Sequence, residues 1–161
     1  MSHIVTINIQ MRELEAIKRA CARLGWTFKE NQKTYNWFGD WVDDSPVPRG
    51  LFASEQEYQA VLAMDRTERK QHMNNVLGKC EHAISVPGCQ YEIGLIKHGS
   101  GYTPIWDWYE IDLHNALGSN ADPLKQAYAV ERAKIEAQRS GYRVHEKLLP
   151  SGAVHLTIQG Y

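Results

Sequence analysis

The chain has 161 residues, eighteen of them basic and nineteen acidic, for a net charge of -1. That balance argues against a general nucleic-acid coat, which needs clustered Lys and Arg, although it leaves room for a local basic patch. No apolar run approaches the ~18 residues of a membrane span, and 43% apolar with 23% charged residues is a globular composition.

Residues 3–9 are dense in β-branched side chains, with Ile7 and Ile9 alternating with Thr6 and Asn8, which predicts a strand. The segment carries neither a basic n-region nor an apolar h-region, so it does not read as a secretory signal. A cytoplasmic location follows, with Cys21, Cys80 and Cys89 as reduced thiols. The alternative for two of them is a Cys80–Cys89 bridge across the Pro87-Gly88 turn.

Over residues 11–24 the period changes. Leu14, Ile17, Cys21 and Leu24 make one apolar stripe, and Gly25 stands where a helix would stop. Trp26-Thr27-Phe28 then restarts a strand. Residues 43–50 hold Asp, Ser, two Pro and Gly and read as a turn-rich loop. Ser54 with Glu57 is a capping box, and residues 51–77 read as a helical insert within a single domain.

Beyond the insert, residues 91–97 and 102–108 read as two strands joined by His98-Gly99-Ser100-Gly101. A phosphate-holding loop on Lys97, Gly99 and Gly101 is the weaker reading, because no helix follows. Asp122-Pro123 opens a helix to residue 140, and residues 142–147 and 153–158 alternate as a hairpin. Arg23-Leu24-Gly25-Trp26-Thr27-Phe28-Lys29-Glu30 can be laid over Arg139-Ser140-Gly141-Tyr142-Arg143-Val144-His145-Glu146. The match predicts two related β-α-β halves. The expected fold is α+β: one mainly antiparallel, ferredoxin-like sheet with both long helices on the same face.

Two groups of residues carry the chemistry. Tyr35-Asn36-Trp37-Phe38-Gly39-Asp40-Trp41 and Tyr102-Thr103-Pro104-Ile105-Trp106-Asp107-Trp108-Tyr109 concentrate the aromatic rings. Trp and Tyr beside Asp suit a stacking surface for a planar ligand or a protein partner. The candidate wall is Tyr35, Trp37, Trp41, Trp106 and Trp108, with Asp40 and Asp107 to orient a polar group.

The second group is Cys80, Glu81 and His82, with Cys89 further on. Strand alternation would put Cys80 and His82 on one face with Ile84 and Val86, as a buried thiol and a hydrogen-bonded imidazole. The alternative is a zinc site on Cys80, His82 and Cys89, completed by His98 or His114, or a Cys–His nucleophile pair. The spacing fits no established ligand or nucleophile pattern.

Gln32-Lys33-Thr34-Tyr35-Asn36-Trp37, Gly78-Lys79-Cys80-Glu81-His82-Ala83-Ile84, Tyr91-Glu92-Ile93-Gly94 and Leu124-Lys125-Gln126-Ala127-Tyr128, with the opening Met1-Ser2-His3, give most of the chain a family likeness. It resembles the domain-of-unknown-function family that includes the hypothetical chloroplast reading frame thirty-five proteins, with algal, cyanobacterial, bacterial and phage relatives. The insert at 51–77 departs from that pattern. The resemblance implies a small soluble protein, offers no catalytic residues, and implies an association with an AAA-type ATPase. The expected function is a non-enzymatic binding or adaptor module without a cofactor, using the aromatic face. A small enzyme or metal protein centred on Cys80 and His82 is the alternative.

Overall fold

The structure, a computed structural model, describes residues 4–6, 10–42 and 45–160. Residue 3 and residues 7–9 of the expected first strand lie outside the described residues, as do Asp43 and Asp44 of the expected turn.

The fold is α+β. Strands β1 (Ile4–Thr6), β2 (Thr27–Lys29), β3 (His82–Ser85), β4 (Glu92–His98) and β5 (Gly101–Asp107) form a sheet in the order β1-β5-β4-β3-β2. Helix α1 (Leu14–Leu24) carries the chain from one edge of this sheet to the other. Helices α2 (Glu55–Leu62) and α3 (Arg66–Val76) make the insert, and α4 (Ile111–Leu117) and α5 (Asp122–Arg139) follow the sheet. Among the described residues, strands β6 (Arg143–Leu148) and β7 (Val154–Gln159) pair only with each other.

This corrects the expectation of a single sheet made of two duplicated halves. The two helix exits do match in geometry. Trp26 N–H donates to the Cys21 carbonyl and Tyr142 N–H to the Ala137 carbonyl, both at 2.9 Å. Gly25 and Gly141 both take the left-handed conformation, at φ 73° and 79°. But β2 enters the main sheet beside β3, whereas β6 turns back on β7. Every neighbouring pair in the main sheet is antiparallel, so β1 and β2, joined by α1, run parallel at its two edges. That is one β-α-β crossing, and β6 and β7 add no second one to the sheet, so the duplicated, ferredoxin-like arrangement is not seen. The shared residues encode a helix stop and nothing larger.

Alternation sorts the sheet's side chains into two cores. Ile84, Ile93, Leu95 and Trp106 pack with Ile17 and Cys21 of α1, Leu113 and Leu117 of α4, and Leu124, Tyr128 and Ile135 of α5. The two long helices therefore share one face, as expected. Ala83 and Ile105 point the other way, into a core with Tyr35, Trp41, Val61, Met73 and Leu77. With both faces covered, β5 is buried along its whole length.

Helix starts are satisfied by specific acceptors. The Ser54 hydroxyl accepts from the Glu57 amide at 3.1 Å, and the Asp65 carboxylate from the Glu68 amide at 2.9 Å. Helix α1 has no cap of its own. The Tyr128 hydroxyl of α5 accepts from the Arg12 and Glu13 amides at 3.0 and 3.1 Å, so α1 is capped from the other end of the chain. Among the described residues no helix is long and apolar enough to cross a membrane.

Candidate functional site

The two aromatic segments do come together, but most of their rings turn inward. Trp41 and Trp106 have no exposed surface, and Tyr35 is buried over β4. Gly94 is what lets Tyr35 lie there: a β-carbon at that position would stand 2.7 Å from the ring's Cε1. Trp37 is half-buried and sits against Gly78 in the insert's core. Only Trp108 of the four candidate tryptophans is exposed, and it packs edge-on against His114 at 4.9 Å. A wall of Tyr35, Trp37, Trp41, Trp106 and Trp108 therefore does not form.

The two acids also have structural partners. Asp107, fully buried, accepts from the Phe38 amide at 3.2 Å and the Tyr109 amide at 3.0 Å, pinning one aromatic segment to the other. Asp40 is bound by Lys70 at 3.1 Å and by Asn74 at 2.9 Å, which ties its loop to α3. These contacts hold the Asp40 carboxyl below the ordinary carboxylate range. Glu92, which the sequence did not single out, does a similar job. Burial pushes its pKa up, but Lys29 at 2.8 Å, the Asn36 amide at 3.0 Å and Gln32 at 3.1 Å outweigh that and keep it low. Its signal in the sequence was an acid at an apolar-strand position.

The Cys80–His82 pair is also separated. The strand begins at His82, after a bend at Glu81, so strict alternation does not reach back to Cys80. Cys80 packs with the insert's core, while His82 lies between Phe28 and Tyr102 on the helical side. Cys89 lies against the helical core, away from Cys80. All three cysteines are free thiols. His98 contacts the Gly50 carbonyl at 2.9 Å. Among the described residues no group of three or more His, Cys, Asp or Glu converges to hold a metal ion. Lys97, Gly99 and Gly101 belong to the β4–β5 hairpin, with His98 paired to Gly101.

His82 has a defined structural task. Its Nδ1 accepts from the Asn31 amide at 2.8 Å, which fixes Asn31 in a left-handed turn at φ 61°. Burial lowers its pKa below the ordinary 6.5. The fold thus favours the neutral ring, while the unfolded chain takes up the proton first as pH falls. Stability should therefore drop as pH falls below about 6.5 and level off once the folded state is also protonated. Unfolding free energies measured between about pH 7.5 and 5.5 should slope with pH in the native chain and flatten in His82→Gln. An unchanged slope in that variant would remove His82 from the account.

A concave site lies beside Cys80. Leu51, Phe52, α2, α3, the 79–81 bend and β4 enclose a cleft of about 570 Å³. Its apolar walls are Leu51, Phe52, Ala60, Val61, Met64, Val76 and Ile96. Glu57, His72, Lys79, Cys80, Glu81 and Lys97 supply the polar groups. The volume and the mix are those of a small-molecule site.

Its charges are not equivalent. Glu81 pairs with Lys33 at 2.9 Å, and that hydrogen bond holds its carboxyl below the ordinary range. Glu57 accepts from the Ala53 amide at 3.3 Å. Lys79 and Lys97 are exposed and have no ion pair among the described residues. The Cys80 thiol donates to the Gln32 carbonyl at 3.2 Å, and burial pushes its pKa up to about 11. At neutral pH it is a protonated thiol, a poor nucleophile and a soft apolar wall.

The sequence reading named the insert and Cys80 but not the cleft they form. Its lining comes from five separate segments, which no local sequence pattern ties together. Val61 lines the cleft, whereas Leu62 is exposed. No family model, no curated protein and no solved structure matches this chain.

Proposed function

We propose that the protein is a ligand-binding module whose site is the cleft between the insert and β4. Its ligand is a small amphipathic molecule with a planar or aliphatic body and an anionic group. The observation that carries this reading is a mostly apolar lining that also includes two exposed lysines, Lys79 and Lys97. Of the two acids in the lining, Glu81 is paired with Lys33, which leaves Lys79 and Lys97 against Glu57 alone, so the charge balance there is positive. Met64 adds a flexible side chain that adapts to ligand shape.

A binding role is favoured over chemistry centred on Cys80 and His82, because the thiol is protonated and the imidazole faces the opposite core. A second reading, a protein partner on the aromatic segments, rests on different rings from those first expected. Phe38 and Tyr109 meet edge-on at 5.3 Å and, with Trp108, remain exposed.

Calorimetric titration with decanoate, decanol and decylammonium tests the proposal. Decanoate should bind best. Ala60→Trp, which fills the cleft from an exposed helix position, should weaken it about tenfold or more, in line with loss of a pocket's apolar contact. Lys79→Glu with Lys97→Glu should abolish the preference for the anion and leave the unfolding midpoint in place. Preference for decylammonium, or full affinity in a folded Ala60→Trp variant, would refute the reading.

A further inference from the structure

The turn of the β6–β7 ribbon sets the phase of its hydrogen bonds. Leu149 N–H donates to the Ala153 carbonyl at 2.8 Å, so these two face each other as a hydrogen-bonding pair. The ladder alternates from there. Lys147 with His155, His145 with Thr157, and Arg143 with Gln159 exchange their backbone bonds across the ribbon. Val154, Leu156 and Ile158, which stand opposite Leu148, Glu146 and Val144, instead direct their N–H and C=O groups out of β7, away from β6. Those outward groups have no hydrogen-bond partner among the described residues.

The two strands differ in how their edges are protected. Strand β6 carries Arg143, Glu146 and Lys147, the kind of charge that keeps an edge from pairing with another chain. Strand β7 reads Val-His-Leu-Thr-Ile-Gln, with no permanent charge and no proline. The ribbon is anchored: Gln126 of α5 donates to the Gly152 carbonyl at 2.9 Å, Glu146 is held by Arg23 and Lys134, and Val144, Val154 and Leu156 are half-buried. Its apolar face is still incompletely covered, with Ile158 52% and Leu148 71% exposed. A two-stranded ribbon is marginal on its own, and this one offers both an unpaired strand edge and apolar surface beside it.

We propose that β7 joins two copies of this chain, pairing antiparallel with β7 of a second copy about a two-fold axis at Leu156. That register sets Leu156 against its own copy and Val154 against Ile158, so the outward groups of all three residues gain partners. Across the four strands so formed, Leu148 and Val154 of one copy continue into Ile158 and Val144 of the other as one apolar row. On the opposite face His155 of one copy meets Thr157 of the other. No like charges stand opposite each other at the joint, whereas the same pairing through β6 would set Glu146 against its own copy. The joint is six residues long, so it is a small interface. The dimer is accordingly weak, with a dissociation constant of about 10–100 µM. The proposal is independent of the cleft and does not rest on the ligand reading.

Sedimentation equilibrium of the full chain between about 1 and 500 µM tests it, and should show a reversible monomer–dimer equilibrium. Ile158→Pro removes an outward donor and leaves the β6 ladder whole, so it should weaken the dimer about tenfold or more. A charge exchange on the exposed face tests the register without altering the backbone. His155→Lys with Thr157→Lys sets lysine against lysine twice across the joint and should weaken the dimer. His155→Lys with Thr157→Glu sets opposite charges there and should preserve or tighten it, so that the two double variants differ about tenfold. Both should keep the native unfolding midpoint at low concentration. In the native chain, the Val154, Leu156 and Ile158 amides should exchange more slowly as concentration rises. A chain that stays monomeric at about 500 µM would overturn the proposal. A dimer of equal strength in the two double variants would also overturn it, by placing the interface elsewhere.

Discussion

Trp41→Ala is expected to destabilise the protein by about 3–5 kcal/mol, the range for removing a buried large aromatic side chain. The ring has no exposed surface and packs in the insert-side core with Tyr35, Met73 and Ile105. Its backbone amide is held by Asn74 at 2.7 Å, so the main chain is fixed while the side chain is lost, and the cavity cannot readily collapse. The indole nitrogen has no hydrogen-bond partner among the described residues. Trp41→Phe should therefore cost well under half as much, because it removes a desolvated donor together with part of the ring. Trp108→Ala, at a ring with 41% exposure, should change stability by less than about 1 kcal/mol. Denaturant unfolding of the three variants checks this. A Trp41→Ala cost within about 1 kcal/mol of that of Trp108→Ala would mean that the ring is not core.

Gly94→Ala is the second large effect, at about 3 kcal/mol, the upper end of the range for overpacking. The new β-carbon would stand 2.7 Å from Cε1 of Tyr35, a ring with only 3% exposure that has no free space to swing into. Gly94 also sits mid-sheet, between Ala83 and Ile105, so its backbone cannot shift without breaking two ladders. Trimming the ring should relieve the clash. Tyr35→Leu combined with Gly94→Ala should be more stable than the sum of the single changes predicts, by about 0.5–3 kcal/mol. Additive costs in that double-mutant cycle would show that the two residues do not meet.

Much of the fold was legible because its signals are local. The apolar stripe of α1, the glycine stop at Gly25, the Ser54–Glu57 cap and the β6–β7 alternation each report on a few neighbouring residues, and each element was found within a few positions. Helix α4 was missed because it is short and its first residue is preceded by Glu110, which provides no side-chain cap. The second sheet was missed because a helix–Gly–strand joint says nothing about which strand will be the partner.

The candidate site fared less well for a related reason. Aromatic density pointed to the right segments, and Asp107 does join them, but sequence cannot tell which side of a strand is covered by an insert. Here the insert covers the outer face, so Trp41 and Tyr35 became core, while the exposed remainder is Phe38, Trp108 and Tyr109. The cleft itself depends on how α2 and α3 lean on β4, a tertiary relation without a sequence pattern.

The most direct measurement is a chemical-shift map of the protein during titration with decanoate. The methyl resonances of Val61, Met64, Val76 and Ile96 should move in a saturable, concentration-dependent way, and the Trp108 indole and the Phe38 and Tyr109 rings should not. Saturable shifts confined to Phe38, Trp108 and Tyr109, with the cleft methyls unmoved, would contradict the account and move the site to the aromatic segments.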